Sequence, residues 1–297
     1  MAYKYTRTMA LHVIRAESFD AGSDDPLKIN APLVERWLVE FLREECTRRR
    51  KFSRAVVGLS GGIDSAVSAY LCAKAFGPKN VTALRMPYRL SSKESLDHDK
   101  LVVGELGILE RTVDITEMTD AYLSVEPDMS PLRLGNVCAR CRIIVLFDQS
   151  AKLEALPIGT GNKTERLFGY FTWHADDSPP INPLGDLFKS QVLQLAVHLG
   201  VPEAITSKAP TADLVQDQTD EGDLGITYVE ADRILQYLTL GYRPAKLVEL
   251  GFDSIQVEIA RRKVDSSHWK RRSPTTAMLS TSAIGEYYLR PVDYGGT

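Results

Sequence analysis

Four short apolar runs alternate with helix-like segments, and this alternation restricts the fold more than any other feature of the chain. The runs are RAVVGL, VTALRM, ILERTVDI and LPIGTG. Strands that alternate with helices form a twisted parallel sheet covered by helices on both faces. The sequence therefore predicts an α/β fold. Residues 124–134 are expected to be a connector, and the short helical patterns after the last run predict a helical C-terminal elaboration.

The length of 297 residues, with no internal repeat and no clear linker, favours a single domain over residues 1–297. We expect a core of about 30–275 between extensions over 1–29 and 276–297. No run is long enough to span a membrane, and the N-terminus lacks the apolar stretch of a signal peptide, so a cytoplasmic location without membrane contact is expected. A net charge of −3 argues against a partner as anionic as nucleic acid.

The stretch GLSGGIDSA, residues 58–66, lies between the first predicted strand and the next helix. Its glycines allow backbone N–H groups to approach an anion, and a helix N-terminus adds positive potential, so the loop predicts a phosphate site. It lacks the lysine of a Walker A motif. Asp64 would repel a phosphate unless a divalent cation lay between them, which indicates a Mg²⁺ ligand. The alternative is a Gly-Ser turn in which Asp64 or Ser65 caps the helix.

Further polar stretches follow in order along the chain. GTGNKTE, residues 159–165, contains Thr160 and Glu165 and has the pattern of a helix cap as well as of a site. Lys189 lies early in a helical pattern, where a cation is unfavourable unless a polyphosphate binds beside it. The others are KAPTADL with Thr211, GNVCARCR with Arg140, and HWKRR with His268 and Lys270.

Taken together, these motifs resemble the ammonia-dependent NAD⁺ synthetases, which belong to the N-type ATP pyrophosphatases and share the PP-loop SGGIDS. The resemblance covers residues from about 30 to about 275. It implies the adenine nucleotide α-hydrolase-like fold and an ATP-dependent amidation of deamido-NAD⁺ by ammonia. The reaction would pass through an adenylate and give NAD⁺, AMP and pyrophosphate.

The resemblance also assigns roles to residues. The implied ATP contacts are Gly58, Leu59, Ser60, Gly61, Gly62, Ile63, Asp64, Ser65, Thr160, Lys189 and Thr211. Asp64 and Glu165 correspond to Mg²⁺ ligands, and Lys189 is expected to stabilise the departing pyrophosphate. Arg140, His268 and Lys270 correspond to contacts with deamido-NAD⁺. The family is homodimeric, and a PP-loop that begins at residue 58 leaves no place for a fused glutaminase, so ammonia is the expected nitrogen source.

The chain departs from the family pattern near the dinucleotide. Trp173 and Pro180 stand where the family often has Lys and Asp, and Trp269 separates His268 from Lys270. Asp177 could replace the missing carboxylate. Asp176 matches a family Asp and is a candidate catalytic base for ammonium, or it is a loop residue that caps a turn.

Two other functions fit parts of the sequence. Cys138 and Cys141 have the Cys-x-x-Cys spacing with which some PP-loop tRNA-thiolating enzymes bind an iron–sulfur cluster. A third cysteine ligand would be needed for such a cluster. Cysteines three positions apart on a helix share a face, so packing is the simpler explanation. A nucleotide sensor would keep the loop without needing two separate carboxylates.

Overall fold

A run of small and β-branched residues forms the central strand of the sheet. The computed structural model describes residues 25–210, 220–273, 275–277 and 279. The strands are β1 (Ala55–Leu59), β2 (Val81–Arg85), β3 (Leu109–Thr112) and β4 (Leu156–Ile158). They lie in the order β3-β2-β1-β4, and every pair is parallel. The predicted parallel sheet is therefore confirmed, with each strand inside its predicted apolar run.

Helices fill the connections and the C-terminal part of the described chain. They are α1 (Ala31–Leu42), α2 (Ile63–Phe76), α3 (Lys93–Leu106), α4 (Thr116–Leu123), α5 (Pro131–Leu153), α6 (Lys163–Phe168), α7 (Lys189–Leu199), α8 (Glu203–Thr206), α9 (Asp220–Leu224), α10 (Tyr228–Thr239), α11 (Pro244–Glu249) and α12 (Ser254–Ser267). None of these helices is both long enough and apolar enough to cross a bilayer.

The connector predicted over 124–134 was partly wrong, because α5 begins at Pro131. The side chain of Ser130 accepts a hydrogen bond from the N–H of Arg133, and proline occupies the first position of the helix. Proline suits that position because an N–H there would have no acceptor inside the helix, so its absence loses no hydrogen bond.

The two faces of the sheet are covered by different helices. Ala55 and Val57 point into a core that includes residues of α1, α2 and α7, whereas Val56 points into a second core against α5. Alternate residues of a strand face opposite sides of a sheet, so a strand buried on both sides must be apolar throughout. The expectation of helices on both faces is confirmed.

The last helices form a third core of their own. Ile234 and Leu235 of α10 pack with Leu247 of α11 and Val257 of α12, and Phe188 joins them from the start of α7. The expected helical C-terminal elaboration is thus present within the described residues, and it is attached directly to the helices that follow β4.

The order of the strands determines where a ligand can bind. The chain proceeds from β1 outwards through β2 and β3 and then returns to β4 on the other side of β1. The loops after β1 and β4 therefore diverge and leave a crevice at the carboxyl edge of the sheet, which is the usual ligand site of open parallel sheets.

Candidate active site

A cleft of about 620 Å³ occupies this crevice. The predicted residues that line it are Gly58, Leu59, Ser60, Gly62, Ile63, Asp64, Ser65, Thr160, Glu165, Asp176, Lys189 and Lys270. Gly61, Arg140 and His268 are described but do not contribute to its lining. Thr211 lies outside the described residues. The structure thus brings together most of the residues that the sequence placed in one site.

Two carboxylates share one ammonium group at the bottom of the cleft. Lys189 Nζ donates a hydrogen bond to Asp64 Oδ2, and it lies 3.5 Å from Glu165 Oε1. Asp64 belongs to the first turn of α2, Glu165 to the first turn of α6 and Lys189 to the first turn of α7. Three helix N-termini therefore converge where a polyphosphate would meet their positive ends.

A capping box fixes Glu165. The side chain of Asn162 accepts from the N–H of Glu165 at 2.9 Å, and Glu165 Oε2 accepts from the N–H of Asn162 at 3.3 Å. Asn162 Nδ2 also donates to Asp64 Oδ1 at 3.0 Å. The capping interpretation of GTGNKTE is therefore confirmed, and the same cap links the two carboxylates.

The charges of the cluster do not balance. Burial raises the pKa of Glu165, and the nearby Asp64 carboxylate raises it further. Burial alone would lower the pKa of Lys189, but Asp64 and Glu165 outweigh burial and raise that pKa. Asp220, to which no sequence motif pointed, is 5% exposed and accepts hydrogen bonds from Tyr228 and Tyr170. Burial likewise raises the pKa of Asp220, so the site favours additional positive charge.

The donor atoms fit Mg²⁺. Asp64 and Glu165 offer hard carboxylate oxygens, which this ion prefers. In the described part of the chain, no three His, Cys, Asp or Glu residues form a complete metal cage. Mg²⁺ commonly binds through one or two carboxylates and completes its coordination with phosphate oxygens and water.

The glycine-rich loop is held against α3. Gly61 has φ +71, and its N–H donates to Asp99 Oδ1 at 2.7 Å. A Cβ on Gly61 would lie 2.5 Å from the Cα of Ser95, so only glycine fits this position. Ser65 Oγ accepts from the N–H of Ser60 at 3.2 Å, which closes the loop on itself. Side-chain capping of α2 by Asp64 or Ser65 is not observed, since its N-cap residue is Gly62.

The residues expected at the dinucleotide are only partly assembled. Lys270 Nζ lies in the cleft and donates to the carbonyls of Gly169 and Phe171 at 2.8 and 3.0 Å. Arg140 donates instead to the carbonyls of Asn136 and Trp173. His268 Nδ1 lies 3.0 Å from the carbonyl oxygen of Asp265 on the exposed surface. Their roles in substrate binding therefore stay predictions.

Arg142 lines the cleft, although the motif that contains it gave it no predicted role. Its Nε donates to the carbonyl of Met86 at 3.1 Å, just beyond β2. The motif GNVCARCR contained both arginines, and the helical spacing alone did not show which of them faces the sheet edge.

Asp176 has features of both of its proposed roles. Its carboxylate accepts from the N–H of Thr172 at 2.7 Å, as a turn cap does, and it also lines the cleft. Desolvation by the surrounding protein raises the pKa of Asp176, and the hydrogen bond from the Thr172 N–H opposes this rise. The side chain is nevertheless accessible to solvent. A carboxylate with a raised pKa at an accessible wall can exchange protons with a bound amine.

The two tryptophans that interrupt the family pattern contact each other. The rings of Trp173 and Trp269 meet edge to face with centroids 5.1 Å apart. Aromatic rings prefer this arrangement because the positive edge of one faces the negative face of the other. The two departures thus pack together. Their contact joins the loop of Trp173, whose carbonyl accepts from Arg140, to the turn of residues 268–271.

Cys138 and Cys141 belong to the core beneath the sheet. They are 3% and 8% exposed and pack near Val56, Val145 and Leu146. All four cysteines of the chain are unpaired and buried. The packing interpretation is confirmed, and a cluster-binding site for tRNA thiolation gains no support.

The fold and the cleft define a class of protein. A parallel sheet with the glycine- and serine-rich loop SGGIDS directly after β1 is the fold of the PP-loop ATP pyrophosphatases. A comparison with protein families is more specific: the model of the NAD synthase family matches residues 34–274. The chain therefore belongs to the NAD synthase family.

Individual relatives agree with this assignment. The NH(3)-dependent NAD(+) synthetase of Trichlorobacter lovleyi is 46% identical over 271 residues, which cover 91% of this chain and 98% of the relative. The solved NMN synthetase of Francisella tularensis is 32% identical with a TM-score of 0.76, over 84% of this chain and 99% of its own. The NH3-dependent NAD synthetase of Campylobacter jejuni is 29% identical with a TM-score of 0.73, over 84% and 100%.

Proposed function

We propose that this protein joins ammonia to the nicotinate carboxylate of deamido-NAD⁺ at the expense of ATP, and that it releases NAD⁺, AMP and pyrophosphate. One observation carries the proposal: Lys189, Asp64 and Glu165 converge beside the glycine-rich loop at the carboxyl edge of the sheet. The chain that holds this cluster is 46% identical to a protein named NH(3)-dependent NAD(+) synthetase.

ATP is expected to lie with its phosphates on the loop of residues 58–65 and the first turn of α2. The N-terminus of α2 and the ammonium of Lys189 supply the positive potential there. Asp64 and Glu165 hold the ammonium of Lys189 beside the loop, where it can meet the charge that develops on pyrophosphate. Asp64 and Glu165 would hold Mg²⁺, which when bound neutralises phosphate oxygens and polarises the phosphorus for attack.

The chemistry consists of two displacements. A carboxylate oxygen of deamido-NAD⁺ attacks the α-phosphorus, the bond to the bridging oxygen breaks, and pyrophosphate leaves. The nitrogen of ammonia then attacks the acyl carbon of the adenylate, AMP leaves with the bonding electrons, and the nitrogen loses a further proton to water. Asp176 is proposed to take the proton that ammonium must lose before it can attack. The protein mainly positions the reactants and neutralises charge.

The proposal extends to the state of the protein. The matched residues 34–274 support a core of about 30–275 that acts as one catalytic unit. Unpaired buried cysteines support a reducing, cytoplasmic location. Exposed apolar side chains on α4 and α5 support a homodimer.

A product assay tests the reaction. Purified protein with ATP, Mg²⁺, deamido-NAD⁺ and ammonium chloride should form NAD⁺, AMP and pyrophosphate in equal amounts, and glutamine should not replace ammonium. Nicotinate mononucleotide is offered in parallel, because one similar structure is named an NMN synthetase. Lys189→Gln should abolish product formation, whereas Lys74→Gln, at a surface pair with Glu35, should not. Cleavage of ATP to ADP, or AMP release without an acceptor, would refute the proposal.

A further inference from the structure

A buried carboxylate outside the cleft is bonded to the helices that carry the charged cluster. Asp232 of α10 is completely buried. Its Oδ1 accepts a hydrogen bond from the hydroxyl of Thr164 at 2.5 Å, and its Oδ2 accepts from the N–H of Ser190 at 2.8 Å. Asp232 is not among the residues that line the cleft, so it would reach a ligand only through other residues.

The bonds continue to the backbone of the catalytic lysine. Thr164, also fully buried, accepts the N–H of Lys189 at 3.0 Å through the same hydroxyl that donates to Asp232. Thr164 directly precedes Glu165 in α6, and Ser190 directly follows Lys189 in α7. A single carboxylate therefore fixes the first turns of both helices.

Such a carboxylate is a costly way to stabilise a core. Burial raises the pKa of Asp232, although hydrogen bonds from Thr164 and Ser190 oppose the rise. Apolar residues of similar volume often stabilise a protein as well as buried charges do. What an apolar residue cannot do is orient two helix N-termini through directed hydrogen bonds. The geometry is therefore better explained by a need for precise placement.

We propose that Asp232 is a positioning residue, which holds Lys189 and Glu165 at a fixed separation through Thr164 and the N-terminus of α7. The proposal rests on the function proposed above for that pair. It assigns to the C-terminal helices a direct part in the geometry of the site, beyond packing.

Four variants separate positioning from stability. Thr164→Val removes the shared hydroxyl, and Thr164→Ser restores it. Asp232→Asn keeps the volume but has only one oxygen to accept the two bonds. Ile234→Ala is the matched control, since Ile234 is 1% exposed on the same helix and contributes only apolar contact to its core.

Kinetics with saturating substrates give the first measurement. We expect Thr164→Val and Asp232→Asn to lower kcat by about 10- to 100-fold, the range seen when a group that orients an active residue is lost. Thr164→Ser should recover most of kcat. Ile234→Ala should lower Tm at least as much as Thr164→Val and keep kcat near the wild-type value.

A second measurement does not depend on turnover. Acylation of Lys189 by an N-hydroxysuccinimide ester, followed by mass spectrometry, reports how well its ammonium is held. It should be slow in the wild type, Thr164→Ser and Ile234→Ala, and faster in Thr164→Val and Asp232→Asn. If the wild type makes no NAD⁺, the proposed function fails while this measurement still decides the positioning role. Wild-type labelling rates in both variants, or equally raised rates in Ile234→Ala, would overturn the proposal.

Discussion

Single residues in the cleft are arranged around an excess of negative charge. Asp64, Glu165 and Asp220 surround one ammonium, that of Lys189, and burial raises the pKa of both Glu165 and Asp220. A folded protein would gain stability by replacing some of these groups with apolar ones. Their retention makes sense where a cation and a polyphosphate enter together, because each compensates the other's charge.

The variant Asp64→Asn tests whether the negative charge of the cleft serves a bound cation and polyphosphate. The substitution keeps the shape of the side chain but removes the charge toward Lys189 and toward a bound Mg²⁺, so we expect kcat to fall by about 100-fold or more. The free energy of unfolding should change by less than about 2 kcal/mol, because lost attraction to Lys189 is offset by relieved repulsion from Glu165. Initial rates at saturating ATP and Mg²⁺, with urea denaturation alongside, measure both. Full turnover in the variant would remove Asp64 from the mechanism.

Asp99, which holds the N–H of Gly61, should make stability depend on pH. Burial raises its pKa from 3.8 to about 6, against the opposing effects of the Gly61 N–H, Arg85, Lys208 and Arg142. Between these values the native state binds the proton more tightly than the unfolded chain does. The contribution of this group therefore falls as pH rises from about 4 to about 6, by at most about 3 kcal/mol.

The comparison with Asp99→Asn isolates this effect. Urea denaturation at pH 4.5, 5.5 and 7 should show that the stability of the wild type relative to the variant decreases as pH rises. Asp97→Asn, at an exposed position on the same helix, serves as the control for the loss of one carboxylate. A difference between wild type and Asp99→Asn that is the same at all three values would contradict the assignment.

Among the secondary-structure elements, those with a long or strictly apolar pattern were predictable. Strands β1, β2 and β4 are buried apolar runs, whereas the edge strand β3 is largely exposed and was predictable from its place in the alternation. Helix α7 shows an apolar face in the sequence, and α2, which is buried almost all round, was marked by the Gly77-Pro78 that ends it. The first turn of α5 was missed because polar and turn-forming residues precede it, although Ser130 followed by proline is itself a start signal. Short helices such as α8 and α9 contain too few residues to show a period.

The parts of the candidate site whose contacting residues all lie within one sequence motif were predictable. The glycine-rich loop and the Asn162–Glu165 cap are local, so their chemistry is readable from spacing. The bonds of Asp99 to Gly61 and of Asp232 to Thr164 join different elements of the chain. Such partners are brought together only by the packing of helices on the sheet, which a local pattern does not encode.

Helix α5 allows a test of the packing role of its cysteines. Replacing both Cys138 and Cys141 by serine places hydroxyls in an apolar core, which should cost about 1–3 kcal/mol for each and leave NAD⁺ synthesis within about twofold of wild type. The double alanine variant is the control, because it removes sulfur without adding a polar group. Denaturation curves and initial rates decide the matter. A visible chromophore in the purified wild type that disappears in both variants would instead indicate a cluster.

On the scale of the whole molecule, the two sides of the sheet are covered differently. Helix α2 packs on one side of the sheet and is itself covered by α1 and α7, whereas α5 packs on the other side. The outer surface of α4 and α5 nevertheless presents large apolar side chains, which are Met118, Tyr122, Ile144 and Phe147. Exposed apolar side chains on two helices that pack together mark a candidate protein interface. Because α5 also lines the cleft, an interface here would lie next to the substrate.

The last prediction concerns the homodimer proposed from this surface. Ile144 is 59% exposed, so a charge there is tolerated in a monomer but not within an apolar interface. Ile144→Glu should therefore change the mass measured by light scattering from twice the chain mass of 33.0 kDa towards the single value, while Tm measured on the separated monomer stays within a few degrees. Val197→Glu is the matched control, because Val197 is 65% exposed on α7 at the opposite side of the sheet. It should leave the mass unchanged. If both variants keep the dimer mass, the interface lies elsewhere, and if the wild type is itself a monomer, the α4–α5 surface needs another partner.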